Sequence, residues 1–285
     1  MRLKQTVGSI TLSSKAVLMG IIIFLTACNS YAIQPPESEN KSLSQTSSLN
    51  SELLDKEAAI EPEAVRLLKQ MNDFMASQTQ FSFQGEITSD EILPTGQKIQ
   101  SISSVNGAIK RPDKFHVEIH EQDKDQDLYY NGKTVTLYGK RVKYYASIDA
   151  PSTIGETIQF LIDSVGIVVP MADLIGKYSH DVLMSDVESG FYVGLSEING
   201  IECHHLAFRA DETDWQIWIE NSDTPSVRKF IITSKWITGA PQVTASYSDW
   251  NFDTNFSDKE FKFVAPEGVS KIEFMTVKTA NQDGE

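Results

Sequence analysis

The feature that most constrains the fold of this chain is a set of runs in which apolar and polar residues alternate. A period of two places the apolar side chains of a strand on one face of a sheet. Asn131-Gly132 and Asn199-Gly200 lie between such runs, and Asn-Gly is the strongest short-range signal for a β-hairpin. The pattern therefore predicts consecutive antiparallel hairpins, about ten strands in all. The apolar positions of the runs are Phe81, Phe83, Ile87, Phe115, Val117, Ile119, Trp215, Ile217, Ile219, Val243, Ala245 and Tyr247.

Two parts of the domain have the periodicity of amphipathic helices. The first begins at Glu61-Pro62-Glu63, because acidic residues and a proline are typical of a helix start. The second is a mid-chain pair of helices. Its first helix begins near Thr153, which fits a capping box with Glu156, and its second begins at Pro170. The stretch 161–175 is more apolar than a surface helix needs to be, so we predict an α+β fold in which the helices cover the concave face of a large curled antiparallel sheet.

The first 27 residues have the features of a bacterial export signal. An apolar run over residues 16–27 ends at Cys28, and it is shorter than the roughly 20 residues that a membrane-spanning helix needs. The segment Leu25-Thr26-Ala27-Cys28 resembles the lipobox of bacterial lipoproteins, in which the cysteine is diacylated and becomes the mature N-terminus. We predict a lipoprotein signal peptide over residues 1–27 and a lipid such as palmitate on Cys28. The alternative is a buried cysteine at the end of a core helix.

The lipobox resemblance also implies a location. Residue 29 is Asn, whereas an Asp at this position retains lipoproteins at the inner membrane of enteric bacteria. We therefore expect the protein on the periplasmic side of the bacterial cell envelope, with the outer membrane favoured over the inner membrane.

Composition divides the rest of the chain into three parts. Residues 28–57 are rich in Ser, Gln, Asn, Glu and Pro with almost no aromatic residues, and such a segment cannot bury enough apolar surface to fold. We predict a flexible tether there, with a short helix over 51–56 that packs on the domain as the alternative. Residues 58–276 are predicted to form the folded domain, and residues 277–285 a disordered tail.

Charge and motif content exclude several classes of function. The chain has 39 acidic and 25 basic residues and no long basic cluster, so nucleic acid is not an expected partner. The common nucleotide, cofactor and hydrolase motifs are absent, so we expect no cofactor, no catalytic residues and no enzymatic activity. Residues 123–127 begin like a calcium loop, but Leu128 and Thr134 stand where that loop needs Gly and Glu. An exposed acidic turn is the favoured interpretation.

Three potential metal ligands share one face of a predicted strand. They are His116, Glu118 and His120. The two histidines are separated by about 13 Å at ~3.3 Å per residue, so this strand alone cannot supply a three-ligand site. We therefore expect a solvated face and no bound metal.

Four short segments carry a further resemblance: Tyr129–Lys133, Pro170–Leu174, Gly200–Leu206 and Trp215–Ile219. They resemble a family of predicted periplasmic proteins, domain of unknown function 2092, over about residues 61–274. That family looks related to the lipoprotein-sorting superfamily of LolA and LolB, whose fold is a half-open antiparallel barrel with helices at its hydrophobic mouth. The resemblance implies a LolA/LolB-like half-barrel that binds an acyl chain or the lipid of a lipoprotein.

The partners that follow are the membrane, through the lipid anchor, and a lipid or lipidated protein, with the protein itself a monomer. The alternative is a non-catalytic envelope interaction or structural module whose barrel has a filled core. If the cavity exists, apolar side chains on the inner face of the sheet and on the covering helices bind the ligand. The candidate ligand-binding residues are Phe81, Phe83, Phe115, Val117, Ile119, Ile158, Leu161, Leu174, Trp215, Ile217 and Ile219.

Overall fold

The structure, a computed structural model, describes residues 60–165 and 180–274. The predicted signal peptide, the lipidation site Cys28 and the tether lie outside the described residues, as do the helix predicted from Pro170, its residue Leu174 and the C-terminal tail. Within the two described ranges, no helix is both long enough and apolar enough to cross a membrane.

Twelve strands of the described residues form one open sheet, in the order β12-β6-β5-β4-β3-β2-β1-β11-β10-β9-β8-β7. Neighbouring strands are antiparallel, except that β12 pairs in parallel with β6. The predicted α+β class is confirmed, and the sheet is larger than predicted and mixed. The strands are β1 (Gln80–Ile92), β2 (Lys98–Lys110), β3 (Lys114–His120), β4 (Asp125–Tyr130), β5 (Thr134–Gly139), β6 (Tyr144–Asp149), β7 (Val187–Ile198), β8 (Ile201–Ala210), β9 (Thr213–Glu220), β10 (Val227–Ser234), β11 (Gln242–Asn251) and β12 (Ser270–Ile272).

Both Asn-Gly pairs form hairpin turns, as predicted. Asn131-Gly132 joins β4 to β5, and the side-chain oxygen of Asn131 accepts hydrogen bonds from the backbone N–H groups of Lys133 and Thr134, each at 3.0 Å. Asn199-Gly200 joins β7 to β8 with φ values of 51° and 81°. Two successive positive φ angles are what a two-residue type I′ turn requires, and Asn and Gly adopt them at the lowest cost.

A glycine in β2 makes room for a core aromatic ring. Gly107 is the cross-strand partner of Phe83 in β1, and a Cβ atom at Gly107 would lie 2.1 Å from Cζ of Phe83. The Phe83 side chain is buried and contacts the rings of Tyr247 and Trp250. The ring therefore occupies the volume that any other residue at position 107 would need.

We expect Gly107→Ala to destabilise the domain by about 1–3 kcal/mol, because the Phe83 ring must leave its packed position. The measurement is the urea concentration at the midpoint of unfolding. Gly155→Ala is the matched control, since a Cβ at Gly155, in a helix, meets no atom within 4 Å and is expected to raise the stability slightly. A Gly107→Ala protein that unfolds at the wild-type midpoint would contradict this packing.

Helix α1 (Pro62–Ser77) begins where the sequence predicted. Pro62 occupies the first helical position after the extended residue Glu61, where the missing proline N–H does not cost an intrahelical bond. Glu61 also connects the start of the helix to the edge strand β7 through two hydrogen bonds. Its N–H donates to the carbonyl of Gly190 at 2.9 Å, and its carboxylate accepts from the N–H of Tyr192 at 3.0 Å. The buried face of α1 consists of Ala64, Leu67, Leu68, Met71 and Met75.

The first mid-chain helix is also present. Helix α2 (Ile154–Phe160) begins after Thr153, whose hydroxyl accepts from the N–H of Glu156 at 3.3 Å and donates to the Glu156 carboxylate at 2.7 Å. It continues into a π-helical turn, Leu161–Val165. A short helix α3 (His180–Leu183) follows the undescribed segment, and its four residues are too few to show a helical period in the sequence.

One hydrophobic core lies between the helices and one face of the sheet. It contains buried side chains from α1, from α2 with the π-helical turn, and from strands β1–β5 and β8–β11. The two helices therefore cover the same apolar face, which we call the inner face. On the opposite, outer face, the chain after β11 contacts the sheet: the ring of Phe263 packs against Tyr129, Tyr138 and Tyr145 at 4.9–5.6 Å before β12 pairs with β6.

Candidate functional site

The predicted ligand-binding residues that the structure describes belong to one cluster on the inner face. Ile119 is partly buried at its border, and every other member is at most 2% exposed. The division of β9 into inner Trp215, Ile217 and Ile219 and outward residues between them agrees with the predicted alternation. The buried members are Phe81, Phe83, Phe115, Val117, Ile158, Leu161, Trp215, Ile217 and Ile219.

Trp215 lies deep in this cluster. Its ring stacks on Phe208 with 4.1 Å between the centroids and has a tilted contact with Phe230 at 5.7 Å. Its indole Nε1 is buried, and no hydrogen-bond partner for it exists among the described residues. An unpaired buried N–H costs about 1–3 kcal/mol, so this atom is a hydrogen-bond donor available to an oxygen placed beside it.

Two partly buried aromatic residues that pack against the core were missed by sequence reasoning. Trp250 and Phe252 stack on each other at 5.7 Å, and both contact Phe81. The alternation that places Tyr247 on the inner face would send the even-numbered Trp250 outward. An irregularity in the pairing of β1 with β11, next to Asp249 with φ of 50°, reverses the alternation. The sequence has no Gly at this place that would indicate such an irregularity.

A cavity of about 190 Å³ lies between α1 and the ends of β8 and β9. Ile219 is the one candidate residue that lines it. His204 at its wall uses both ring nitrogens, with Tyr192 Oη and Asn221 Oδ1 each at 3.0 Å. These two hydrogen bonds hold the imidazole in place. The remaining lining residues are Arg66, Leu67, Gln70, Glu220, Ser222 and Pro225.

Several side chains on the outer face are also buried. Trp218 alternates with the inner residues of β9 and faces outward, and it is buried because His205 stacks on it at 4.0 Å and Lys229 lies 5.3 Å from its ring centre. Burial lowers the pKa of His205 below its ordinary value, which keeps the imidazole neutral at pH 7. Cys203 on the same face is also buried, and burial raises the pKa of its thiol to about 11.

The prediction of an exposed acidic turn over residues 123–127 is correct for only part of this segment. Asp123 is exposed in the turn, but Asp125 and Asp127 belong to β4. The side chain of Asp127 is only 5% exposed. The strand position is the physical reason, because β4 pairs on both sides and its outer face is partly covered by the rings around Phe263.

The chain matches the family model described as predicted periplasmic protein, DUF2092, over residues 64–275. No curated protein matches it in sequence. Among solved structures, the lipoprotein LppX of Mycobacterium tuberculosis is 13% identical with a TM-score of 0.41, over 68% of this chain and 98% of LppX. LprF of Mycobacterium bovis is 12% identical with a TM-score of 0.39, over 74% and 100% of the two chains.

A LolA superfamily protein of Nitrosomonas europaea is 12% identical with a TM-score of 0.35, over 72% of this chain and 99% of that protein. TM-scores of this size do not by themselves establish a shared fold. The family match is different, because it extends over most of the chain and includes all twelve strands and all but the first two residues of α1. The chain therefore belongs to the DUF2092 family of predicted periplasmic proteins.

Proposed function

We propose that this chain is a lipid-anchored periplasmic protein that binds a hydrophobic ligand, such as an acyl chain or the lipid of a lipoprotein, between the inner face of the sheet and the mid-chain helices. The observation that carries this proposal is the continuous apolar inner face, which extends across strands β1–β5 and β8–β11 and on which the described helices α1 and α2 pack. A LolA/LolB-like half-barrel would present such a face to a lipid.

The border of the inner face suggests where a ligand enters. Ile162 and Val165 precede the undescribed segment 166–179, Leu183 and Met184 follow it, and all four are partly exposed while they pack against the core. The sequence of the segment between them is itself strongly apolar. Apolar side chains left partly in water at one border are typical of the mouth of a hydrophobic site.

Trp215 supplies the polar group that such a site needs. Hydrophobic pockets usually contain a few polar groups that orient the ligand. The buried indole N–H of Trp215 meets this need, because it has no partner among the residues described. It would donate to the carboxyl or ester oxygen of an acyl ligand, which also removes the cost of leaving the N–H unpaired.

The proposed anchor and tether complete this arrangement. A diacylated Cys28 would hold the chain in the membrane, with the outer membrane favoured, and residues 28–57 would connect it to a monomeric domain over 58–276. A flexible segment of about 30 residues spans on the order of 30 Å. This distance keeps the domain clear of the lipid headgroups and free to meet a ligand.

A second candidate function is a non-catalytic interaction module, and one observation favours it. Apart from Ile219, the candidate residues that the structure describes fill the core rather than line a cavity, and β7 is an edge strand with apolar side chains about half exposed. Edge strands of this kind accept a strand from another protein. The exposed residues are Phe191, Val193 and Leu195.

The binding experiment uses the full chain with Cys28→Ser, purified without detergent, and a fluorescent fatty acid. We expect low-micromolar affinity, about −8 kcal/mol, and copurified lipid in the mass spectrum of an organic extract. Ile162→Glu should weaken binding at least tenfold, because it places a charge at the proposed entrance. Ile102→Glu is the matched control, since Ile102 in β2 is 57% exposed and does not belong to the inner-face cluster or to the residues packed against it.

Circular dichroism must show both variants to be folded. A folded wild-type chain that neither binds the probe nor copurifies with lipid would refute ligand binding and favour the interaction module. Equal weakening by both glutamates would refute the proposed entrance.

A further inference from the structure

A cluster of metal-ligating side chains lies on the outer face, away from the proposed lipid site. His116 and Glu118 come from β3, and Asp127 comes from β4. Glu118 and Asp127 are direct cross-strand partners, and His116 pairs with Tyr129 two residues further along β4. Because side chains two apart on a strand share a face, the register brings one imidazole and two carboxylates to the same place.

The distances fit a single ion among the three groups. One potential ligand atom from each residue lies within 4.8 Å of the other two, and Nε2 of His116 is 4.0 Å from Oδ2 of Asp127. An ion bound tetrahedrally at about 2.0–2.2 Å from each donor needs donor–donor separations of roughly 3.3–3.6 Å. The observed separations are longer, so the side chains must rotate toward one another to bind the ion.

Neighbouring groups already hold the three side chains in place. The Tyr129 ring stacks on His116 with 4.0 Å between centroids, and the Tyr129 hydroxyl donates to Oδ2 of Asp127 at 3.3 Å. The side-chain amide of Asn106 donates to Glu118 at 3.3 Å. Such outer partners are what orient the ligands of metal sites.

The imidazole of His116 has an unused ring nitrogen. Its Nε2 is buried, and within the described residues it has no hydrogen-bond partner. A bound ion would satisfy this nitrogen.

The charge balance also favours a cation. Lys140 lies 2.7 Å from Oδ1 of Asp127 and 3.6 Å from Asp125, and His120 contacts Asp125 at 2.9 Å. The Lys140 ammonium therefore pairs with Oδ1 of Asp127, and Oδ2 of the same carboxylate lies on the side of His116. One ammonium does not neutralise the three carboxylates Glu118, Asp125 and Asp127.

We propose that His116, Glu118 and Asp127 bind a divalent transition-metal ion, for which Zn²⁺ is the expected occupant. Imidazole and carboxylate groups are both ligands of Zn²⁺, and the partly exposed outer side leaves a fourth position for water. The expectation of no metal considered the ligands of one strand, whereas the third ligand comes from the neighbouring strand. The site does not depend on the proposed lipid binding.

The experiment is a calorimetric Zn²⁺ titration of the full chain, purified without a histidine tag and dialysed against a chelator. We expect one Zn²⁺ per chain, and at least tenfold weaker binding in each of His116→Ala, Glu118→Gln and Asp127→Asn. Asn106→Ala should weaken binding by about tenfold, because it removes an outer partner. Circular dichroism checks the fold of each variant, and Glu118→Gln keeps the test valid if the two more buried positions do not tolerate substitution.

His205→Ala is the matched control. His205 stacks on Trp218 at 4.0 Å and 11°, almost as His116 stacks on Tyr129 at 4.0 Å and 12°, but its Nε2 is bonded to the amide oxygen of Gln216. We expect wild-type Zn²⁺ affinity in this variant. The proposal is overturned if the wild type binds no Zn²⁺, which would mean that the Lys140 ammonium alone compensates the charge of the carboxylates. It is also overturned if Glu118→Gln binds Zn²⁺ as tightly as the wild type.

Discussion

Ile217→Asp is expected to unfold the domain. Ile217 is 1% exposed at the centre of the inner-face core, in β9 between β8 and β10. An aspartate there would bury a carboxylate without a partner or force strand β9 out of the sheet. We expect a loss of about 4 kcal/mol or more, which is a large part of the 5–15 kcal/mol that typically stabilises a domain. Circular dichroism and urea unfolding measure it.

Two variants make this result specific. Ile217→Val removes one methylene from the same site and should cost only about 0.5–1.5 kcal/mol. Ile102→Asp places the same charge on an exposed position of β2 and should leave the unfolding midpoint nearly unchanged. An Ile217→Asp chain as stable as the wild type would show that the inner face is not a packed core, and the fold described above would need revision.

Cys28→Ser is expected to abolish lipidation and release the protein from the membrane fraction. The hydroxyl of serine does not replace the thiol to which the lipid is attached, so the effect is all or none. The measurement is incorporation of an alkyne-labelled palmitate during growth, together with fractionation after a salt wash. A Cys28→Ser chain that still carries the label or still pellets with membranes would disprove the anchor.

Cys203→Ser is the matched control, because the chain contains only two cysteines. Cys203 is buried in β8, its Sγ lies 3.4 Å from the carbonyl oxygen of Ile201, and burial raises its thiol pKa to about 11. Such a thiol is a poor nucleophile at neutral pH. We therefore expect wild-type labelling in Cys203→Ser. A loss of label in this variant would show that the lipid is attached to Cys203 and not to Cys28.

Alternation gave correct predictions for the inner face wherever a strand is regular. In β9, two polar residues at the alternate positions are enough to predict that Trp215, Ile217 and Ile219 face inward. It failed at Trp250, because the irregularity between β1 and β11 changes the face without a glycine or proline in the sequence. It also missed β12, whose three exposed residues pair through backbone bonds and show no apolar pattern.

Contiguous residues are enough to predict the two Asn-Gly hairpins, the start of α1 at Pro62, the cap of α2 at Thr153 and the inner-face residues of regular strands. Turn chemistry, capping and periodicity act over a few positions. The pairings of strands distant in the sequence, β1 with β11 and β6 with β12, depend on the tertiary structure. The cluster of His116, Glu118 and Asp127 depends on the register between β3 and β4, and the buried N–H of Trp215 depends on packing between β8 and β10. Contacts between separate strands are set by the packing of the whole sheet, which no local pattern encodes.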